Sequence, residues 1–267
     1  MLEAFSYMFK DNKYLNKALI YFIFALLGSF CSIYAQTFSP TCAGGGCPVQ
    51  TDPQVYLWLI LGSIIGIIPL GYQFTCMKAL MEQKENYVLP TFNFAKNFWL
   101  GFKAYIGSSL MDIIFGLMII ILALIFGIIA GLCGADKATS LGILIVGGIV
   151  IAIIALLSIL ILSILSIAFA WIFANTGWVT SYLRFKRAFL LIKDNPSTYW
   201  IAFGFMILIG IFIGILSLVG PVIGSLSGSK IVASLIGAFF IALASSYTAF
   251  ASSFLVAKAI KPVVTEE

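Results

Sequence analysis

The sequence contains no histidine, and lysine, arginine, aspartate and glutamate together make up only 9% of its 267 residues. Without histidine it lacks the commonest metal ligand and the side chain most often used as a general base near neutral pH. The scarcity of charge is equally restrictive, since soluble domains carry about 25% charged residues. No polar stretch is long enough for a soluble catalytic domain or a nucleic-acid module. No Gly-x-Ser-x-Gly, P-loop or Gly-x-Gly-x-x-Gly stands in a suitable setting. Every lysine lies at the end of an apolar run, where snorkelling accounts for it, so Ser–Lys catalysis has no candidate pair. Cysteine is sparse at five residues, and two cysteines without histidine make at most half a zinc site. The expectation is no catalytic set, no cofactor, no metal and no activity as an enzyme.

Apolar length is what the chain has in abundance. It is 62% hydrophobic with a mean hydropathy of +1.12, more apolar surface than a chain of this size can bury in water. The solvent it fits is a bilayer. Apolar runs occupy residues 18–34, 55–77, 104–132, 141–175, 199–219 and 231–257, each near or above the roughly 20 residues a spanning helix needs. Lys10, Lys13 and Lys17 precede the first run. A cleaved signal peptide is the rival reading there, and the long amphipathic leader favours a retained span. The fourth run would measure about 52 Å as a helix against a hydrocarbon core of roughly 30 Å. Residues 152–170 contain no Gly, Pro or Asn to turn the chain, which predicts one tilted helix. The link GPVIGSLSGSK before the last run is either a simple loop or a broken, re-entrant end.

Three amphipathic segments punctuate these runs. Residues 180–193, TSYLRFKRAFLLIK, put Phe185, Phe189 and Ile192 on one helical stripe, with Arg184 and Arg187 away from it. Residues 92–103 set Phe94, Ala95, Phe98 and Phe102 opposite Asn93, Lys96 and Asn97; residues 2–13 set Leu2, Phe5, Met8 and Phe9 opposite Glu3, Ser6 and Lys10. Each segment precedes a pair of apolar runs. The predicted fold is an all-α polytopic membrane helical bundle: six transmembrane helices as three hairpins, each preceded by a cytoplasmic amphipathic interfacial helix. The whole chain forms one integral membrane domain, with repeat-like units at about 1–77, 88–177 and 179–258. Thirteen Lys or Arg residues fall on the side of the N-terminus and only Lys137 and Lys230 on the other. That asymmetry predicts an inner- or plasma-membrane protein with both termini cytoplasmic.

Few side chains stand out as site candidates. Asp112 is the only acidic residue within the apolar part of a span, about 14 Å along the helix beyond Lys103. Exposure to hydrocarbon is costly, so it is expected to face the bundle interior as a polar site. An intramembrane aspartyl protease would need a second Asp in a facing span, and there is none. Arg184, Lys186, Arg187 and Lys193 are candidate contacts for anionic lipid headgroups. Cys42 and Cys47 flank Gly44-Gly45-Gly46 in the non-cytoplasmic first loop, as either a short disulfide or two free thiols. Cys31, Cys76 and Cys133 read as small apolar residues in or near spans. Gly62/Gly66, Gly127/Gly131 and Gly210/Gly214 are small-xxx-small pairs, expected to serve packing within the bundle.

Pro69-Leu70-Gly71-Tyr72 is followed, after a charged stretch, by Leu89-Pro90-Thr91-Phe92 and then by Phe98-Trp99-Leu100-Gly101-Phe102-Lys103. With these motifs, and with the later residues 185–193 and Tyr199, the chain resembles the prokaryotic domain-of-unknown-function family numbered four thousand and thirteen. The resemblance implies a small polytopic membrane protein and carries no activity. The function expected is that of a non-enzymatic component binding membrane lipids, through anionic headgroups on the cytoplasmic face, or membrane-protein partners, with no nucleic acid. The rival is a transporter or permease subunit. A solvent-lined cavity reaching Asp112 would favour transport, and a closed, glycine-packed bundle would favour a scaffold.

Overall fold

The computed structural model describes residues 11, 13–36, 53–82, 89–132, 137–219, 222–223 and 228–259. Among these, the regular structure is helical throughout: α1 (Tyr14–Gln36), α2 (Pro53–Glu82), α3 (Phe94–Leu132), α4 (Lys137–Thr176), a 3-10 turn (Val179–Leu183), α5 (Phe185–Asp194), α6 (Pro196–Ser217) and α7 (Lys230–Ala259). Six of these helices are long and apolar enough to cross a membrane: α1, α2, α3, α4, α6 and α7.

Local chemistry sets the boundaries. Asp11 opens α1, its backbone carbonyl accepting from Tyr14 N at 3.0 Å and its Oδ1 accepting from Lys13 N at 2.8 Å, as a capping residue does. Asn93 caps α3 in the same way, with Lys96 N donating to its Oδ1 at 3.0 Å. The α4 helix stops at Gly177, whose φ of 68° is the left-handed conformation a helix C-cap uses and whose N–H reaches Phe173 O at 2.7 Å. Pro196 sits in the first turn of α6, where its missing N–H costs nothing. The fourth apolar run is one continuous helix of 40 residues, about 60 Å long.

Two expected interfacial segments take a different form. Residues 92–103 do not make a separate helix, because nothing breaks the chain between Lys103 and Ala104 and α3 runs through both. The buried side of this first stretch is the small, polar one, with Asn97, Gly101 and Ala104. The Phe94, Phe98 and Phe102 rings stack outward along the helix at about one-turn spacing, 6.3 and 6.2 Å between centroids. Residues 180–193 divide at Arg184 into the 3-10 turn and α5. The tighter turn shifts the helical phase, so α5 buries Ala188 and Leu191 and leaves Phe189 57% exposed. Most of the segment 2–13 lies outside the described residues.

The spans pair as α1–α2, α3–α4 and α6–α7, but the hairpins also interlock, α2 packing on α3 and α1 on α7. Burial concentrates at one end. Residues 249–257 of α7 are buried on every side, and so are Ile167, Ala168, Phe169, Trp171, Ile172, Phe173 and Ala174 of α4. This is the end at which most Lys and Arg residues sit. Toward the other end α3 and α4 present exposed Ile and Leu in most directions, a surface suited to lipid.

Candidate functional site

At the buried end, α1, α2, α7 and the lead-in to α3 converge on four rings. Tyr21 lies 5.3 Å from Phe250, Tyr72 lies 5.3 Å from Phe92, and Tyr21–Tyr72 and Tyr72–Phe250 are each 6.3 Å apart. The Tyr72 hydroxyl donates to Pro90 O at 2.9 Å, satisfying a polar atom that burial would otherwise leave stranded. Asp11 ties the N-terminal side to the same place. Its Oδ2 accepts from Lys17 Nζ at 2.7 Å and from Leu89 N at 3.1 Å, and Lys17 Nζ also donates to Leu89 O. Burial raises the Asp11 carboxyl, but the hydrogen bond and charge of Lys17 and the N–H groups of Lys13 and Leu89 outweigh it and hold it below the usual carboxylate value. Lys17, in sequence one more topology charge, is here half of a buried ion pair.

Beside this cluster α2 and α3 cross at backbone contact. A Cβ on Gly71 would lie 1.7 Å from Asn97 O, and one on Gly101 would lie 1.9 Å from Ile67 O. Thr75 Oγ1 lies 3.0 Å from Gly71 O and 3.1 Å from Asn97 Oδ1. A hydroxyl has one proton, and Asn97 Nδ2 is left buried with no partner. The amide orientation that meets both demands has Asn97 N–H donating to Thr75 Oγ1, and Thr75 donating to Gly71 O.

A groove of about 510 Å³ lies between α1, α2 and α7. Its polar lining includes Ser29, Ser32, Gln73 and Ser245. Ser32 and Ser245 donate to their own helices, at Gly28 O (3.0 Å) and Ala242 O (3.1 Å), while Gln73 Nε2 donates to Ser252 Oγ at 3.1 Å. The groove offers hydroxyls and one amide with no formal charge. It can hold a neutral, amphipathic occupant by hydrogen bonds and apolar contact. Among the described residues no group of His, Cys, Asp and Glu is arranged to hold a metal.

Asp112 does not join either site. It is exposed on the outer surface of α3, with Met111 taking the buried position beside it. The expectation that it faces the bundle interior is therefore corrected: the buried line of α3 is Asn97, Gly101, Ala104, Gly107 and Met111, and Asp112 projects beside that line. Of the three glycine pairs, only the first packs within the bundle. Gly62 lies against Ser32 and Gly28, whereas Gly127, Gly131, Gly210 and Gly214 face open space where a Cβ would meet nothing within 4 Å. Cys31 and Cys76 are buried, as small apolar residues; Cys42, Cys47 and Cys133 lie outside the described residues.

The four basic candidates lie together at the end of the bundle. Arg184 stands at the junction before α5, and Lys186, Arg187 and Lys193 lie on α5; all four are exposed, and among the described residues none is in an ion pair. The α5 helix is held by Ala188 and Leu191 and by Phe185, whose ring meets Phe169 of α4 edge-on at 5.4 Å. Tyr182 anchors the preceding turn, filling the space that Gly107 leaves on α3. Three exposed tryptophans, Trp99, Trp178 and Trp200, stand at this same end, with Lys103 Nζ 5.7 Å from the Trp99 ring and 5.4 Å from the Trp178 ring. Exposed Trp beside Lys is the composition of a membrane–water interface.

Six apolar helices, a polar groove among them and tryptophan with exposed cations at one end define a multi-pass helical membrane protein. The chain belongs to the family described as Protein of unknown function (DUF4013), whose model matches residues 55–222, more than half of its length. The motifs on which the resemblance was read in sequence meet at the crossing: Gly71 and Gly101 at contact, and Tyr72 bonded to Pro90. No curated protein and no solved structure matches the chain.

Proposed function

We propose that this protein is a non-enzymatic membrane component that binds anionic lipid headgroups on its cytoplasmic face, in the inner or plasma membrane, with both termini in the cytoplasm. The observation that carries the reading is α5. Its apolar side is docked on α4, which turns Arg184, Lys186, Arg187 and Lys193 outward beside exposed Phe189, Leu190, Trp178 and Trp200. Cations and partly immersed rings on one short helix parallel the makeup of interfacial helices that rest among headgroups. Each cation near an anionic leaflet contributes about 1 kcal/mol. The uncharged groove between α1, α2 and α7 is consistent with an amphipathic occupant and does not reach Asp112, so it lends no coupling site to the rival transport reading.

Replacing Arg184, Lys186 and Arg187 by Gln leaves ten basic residues on the cytoplasmic side against two outside, so orientation should survive. The phosphatidylglycerol or cardiolipin that co-purifies in mild detergent should fall. Unchanged lipid retention with intact topology would reduce these charges to orientation signals.

A further inference from the structure

We infer that the groove between α1, α2 and α7 is a binding site for a neutral acylglycerol, taken up sideways from the bilayer with its glycerol end inside the groove. Polar atoms without partners converge there. Ser29 and Gln73 both line it. Among the described residues Ser29 makes no hydrogen bond, although Ser32 and Ser245 beside it each donate to a carbonyl of their own helix. Gln73 donates an amide N–H to Ser252, which leaves its Oε1 without a donor. Pro69, inside α2, has no N–H, so Ile65 O loses its helical donor on the side where Pro69 lines the groove. Hydrocarbon satisfies none of these groups. A Cβ on Gly66 would meet nothing within 4 Å, so an occupant can approach the α2 backbone beside them.

The lining sets the chemistry of the occupant. The oxygens of Gln73 and Ile65 call for a donor, and the Ser29 hydroxyl has a proton for an acceptor. An acylglycerol brings both, as a free hydroxyl and ester carbonyls. Depth and charge separate it from a phospholipid. Gln73 lies five residues, about 8 Å, from Lys78 at the basic end, and Ser29 lies twelve residues, about 18 Å, from Lys17. No charged side chain lines the groove, so a phosphate drawn to that depth would be a charge in low dielectric without a counter-ion. A neutral glycerol end carries no such cost. The groove follows α1 from Tyr21 to Ile33, about 18 Å, and is open rather than enclosed, so lipid reaches it laterally. Its volume of about 510 Å³ is that of a ligand pocket and can take the glycerol unit with the adjoining parts of the chains. No residue of α5 lines it, and the inference stands apart from headgroup binding there.

The test uses the full chain in phosphatidylcholine liposomes with a diacylglycerol that carries a diazirine in one acyl chain, and a phosphatidylglycerol with the same chain in a parallel arm. On illumination the diacylglycerol probe should label the α1, α2 and α7 peptides that border the groove, and excess unlabelled dioleoylglycerol should suppress that labelling. The phosphatidylglycerol probe should label the same peptides about tenfold less. Ser29→Ala removes a hydroxyl that bonds nothing in the fold and should reduce labelling about fivefold. Gly66→Leu fills the groove and should abolish labelling, while Gly127→Leu, at another glycine with open space around it, should label as the parent does. Should Gly66→Leu fail to fold, Ser29→Ala decides. Equal labelling by the two probes would mean that any lipid chain fills the groove, and no labelling there would leave it to water. Either result, or parent-level labelling of Ser29→Ala or of folded Gly66→Leu, would overturn the proposal.

Discussion

Substituting Gly71 by Ala should be among the most damaging single changes available to this chain, although it adds one methyl group to a membrane span. The new Cβ would fall 1.7 Å from Asn97 O, 2.6 Å from Gly101 N and 2.7 Å from Asn97 C. All three are backbone atoms of a helix, so none can rotate aside. Ordinary contact requires α2 and α3 to separate by more than 1 Å, and a gap of 0.5–1 Å already forfeits about a quarter to a half of each dispersion contact. The separation would also pull Thr75 from Asn97 and carry Tyr72 away from Pro90. Overpacking of this kind costs about 1–3 kcal/mol where side chains can adjust; with rigid backbone on both sides we expect about 3 kcal/mol. The measurement is unfolding of the purified protein in detergent, followed by monodispersity on size exclusion after a temperature series. Gly127→Ala is the control, since a Cβ there meets nothing within 4 Å. If Gly71→Ala melted within error of Gly127→Ala, the close crossing would be wrong.

Three further outcomes follow from the same end of the bundle and from the first loop. Asp11→Ala leaves Lys17 buried without its carboxylate and Leu89 N without its acceptor, and should destabilise by about 3 kcal/mol in the same assay. Because the folded Asp11 is lowered from 3.8, its contribution is fully present above pH 3.8 and is lost as pH falls through the lower folded value; the variant's melting point should therefore lose part of the acid dependence seen in the parent below that pH. Tyr72→Phe keeps the ring contacts and removes the bond to Pro90, for a loss of about 1 kcal/mol. Cys42 and Cys47 should be joined in the loop peptide by non-reducing mass spectrometry, and full alkylation of both without reductant would contradict the pair.

The number, class and approximate limits of the spans were legible in sequence because apolar length and the asymmetry of Lys and Arg are properties of the solvent, which composition reports directly. What stayed hidden depends on which helices meet. Gly71 and Gly101 form the tightest crossing among the described residues, yet they lie in different spans, and small-xxx-small spacing searches one helix at a time; that search flagged Gly127/Gly131 and Gly210/Gly214, where an added Cβ would meet nothing within 4 Å. Lys17 looked like any other span-end charge, since its partners Asp11 and Leu89 come from both sides of a hairpin. The groove serines gave no signal, because hydroxyls in spans commonly bond their own helix, as Ser32 and Ser245 do. The motifs that carried the resemblance could have pointed to the crossing. Gly-Tyr and Leu-Pro are unexplained as chemistry and make sense as a glycine contact and a hydroxyl-to-carbonyl bond.

The direction in which the basic end points decides whether α5 can meet the anionic leaflet at all. In a chain whose five cysteines are replaced, single cysteines at Lys186 and Thr51 can be probed with a membrane-impermeant maleimide, in intact cells and in inverted vesicles. Lys186→Cys should label only in inverted vesicles and Thr51→Cys only in intact cells. Labelling of Lys186→Cys from the outside of intact cells would contradict the cytoplasmic placement of α5 and, with it, the proposed recognition of headgroups there.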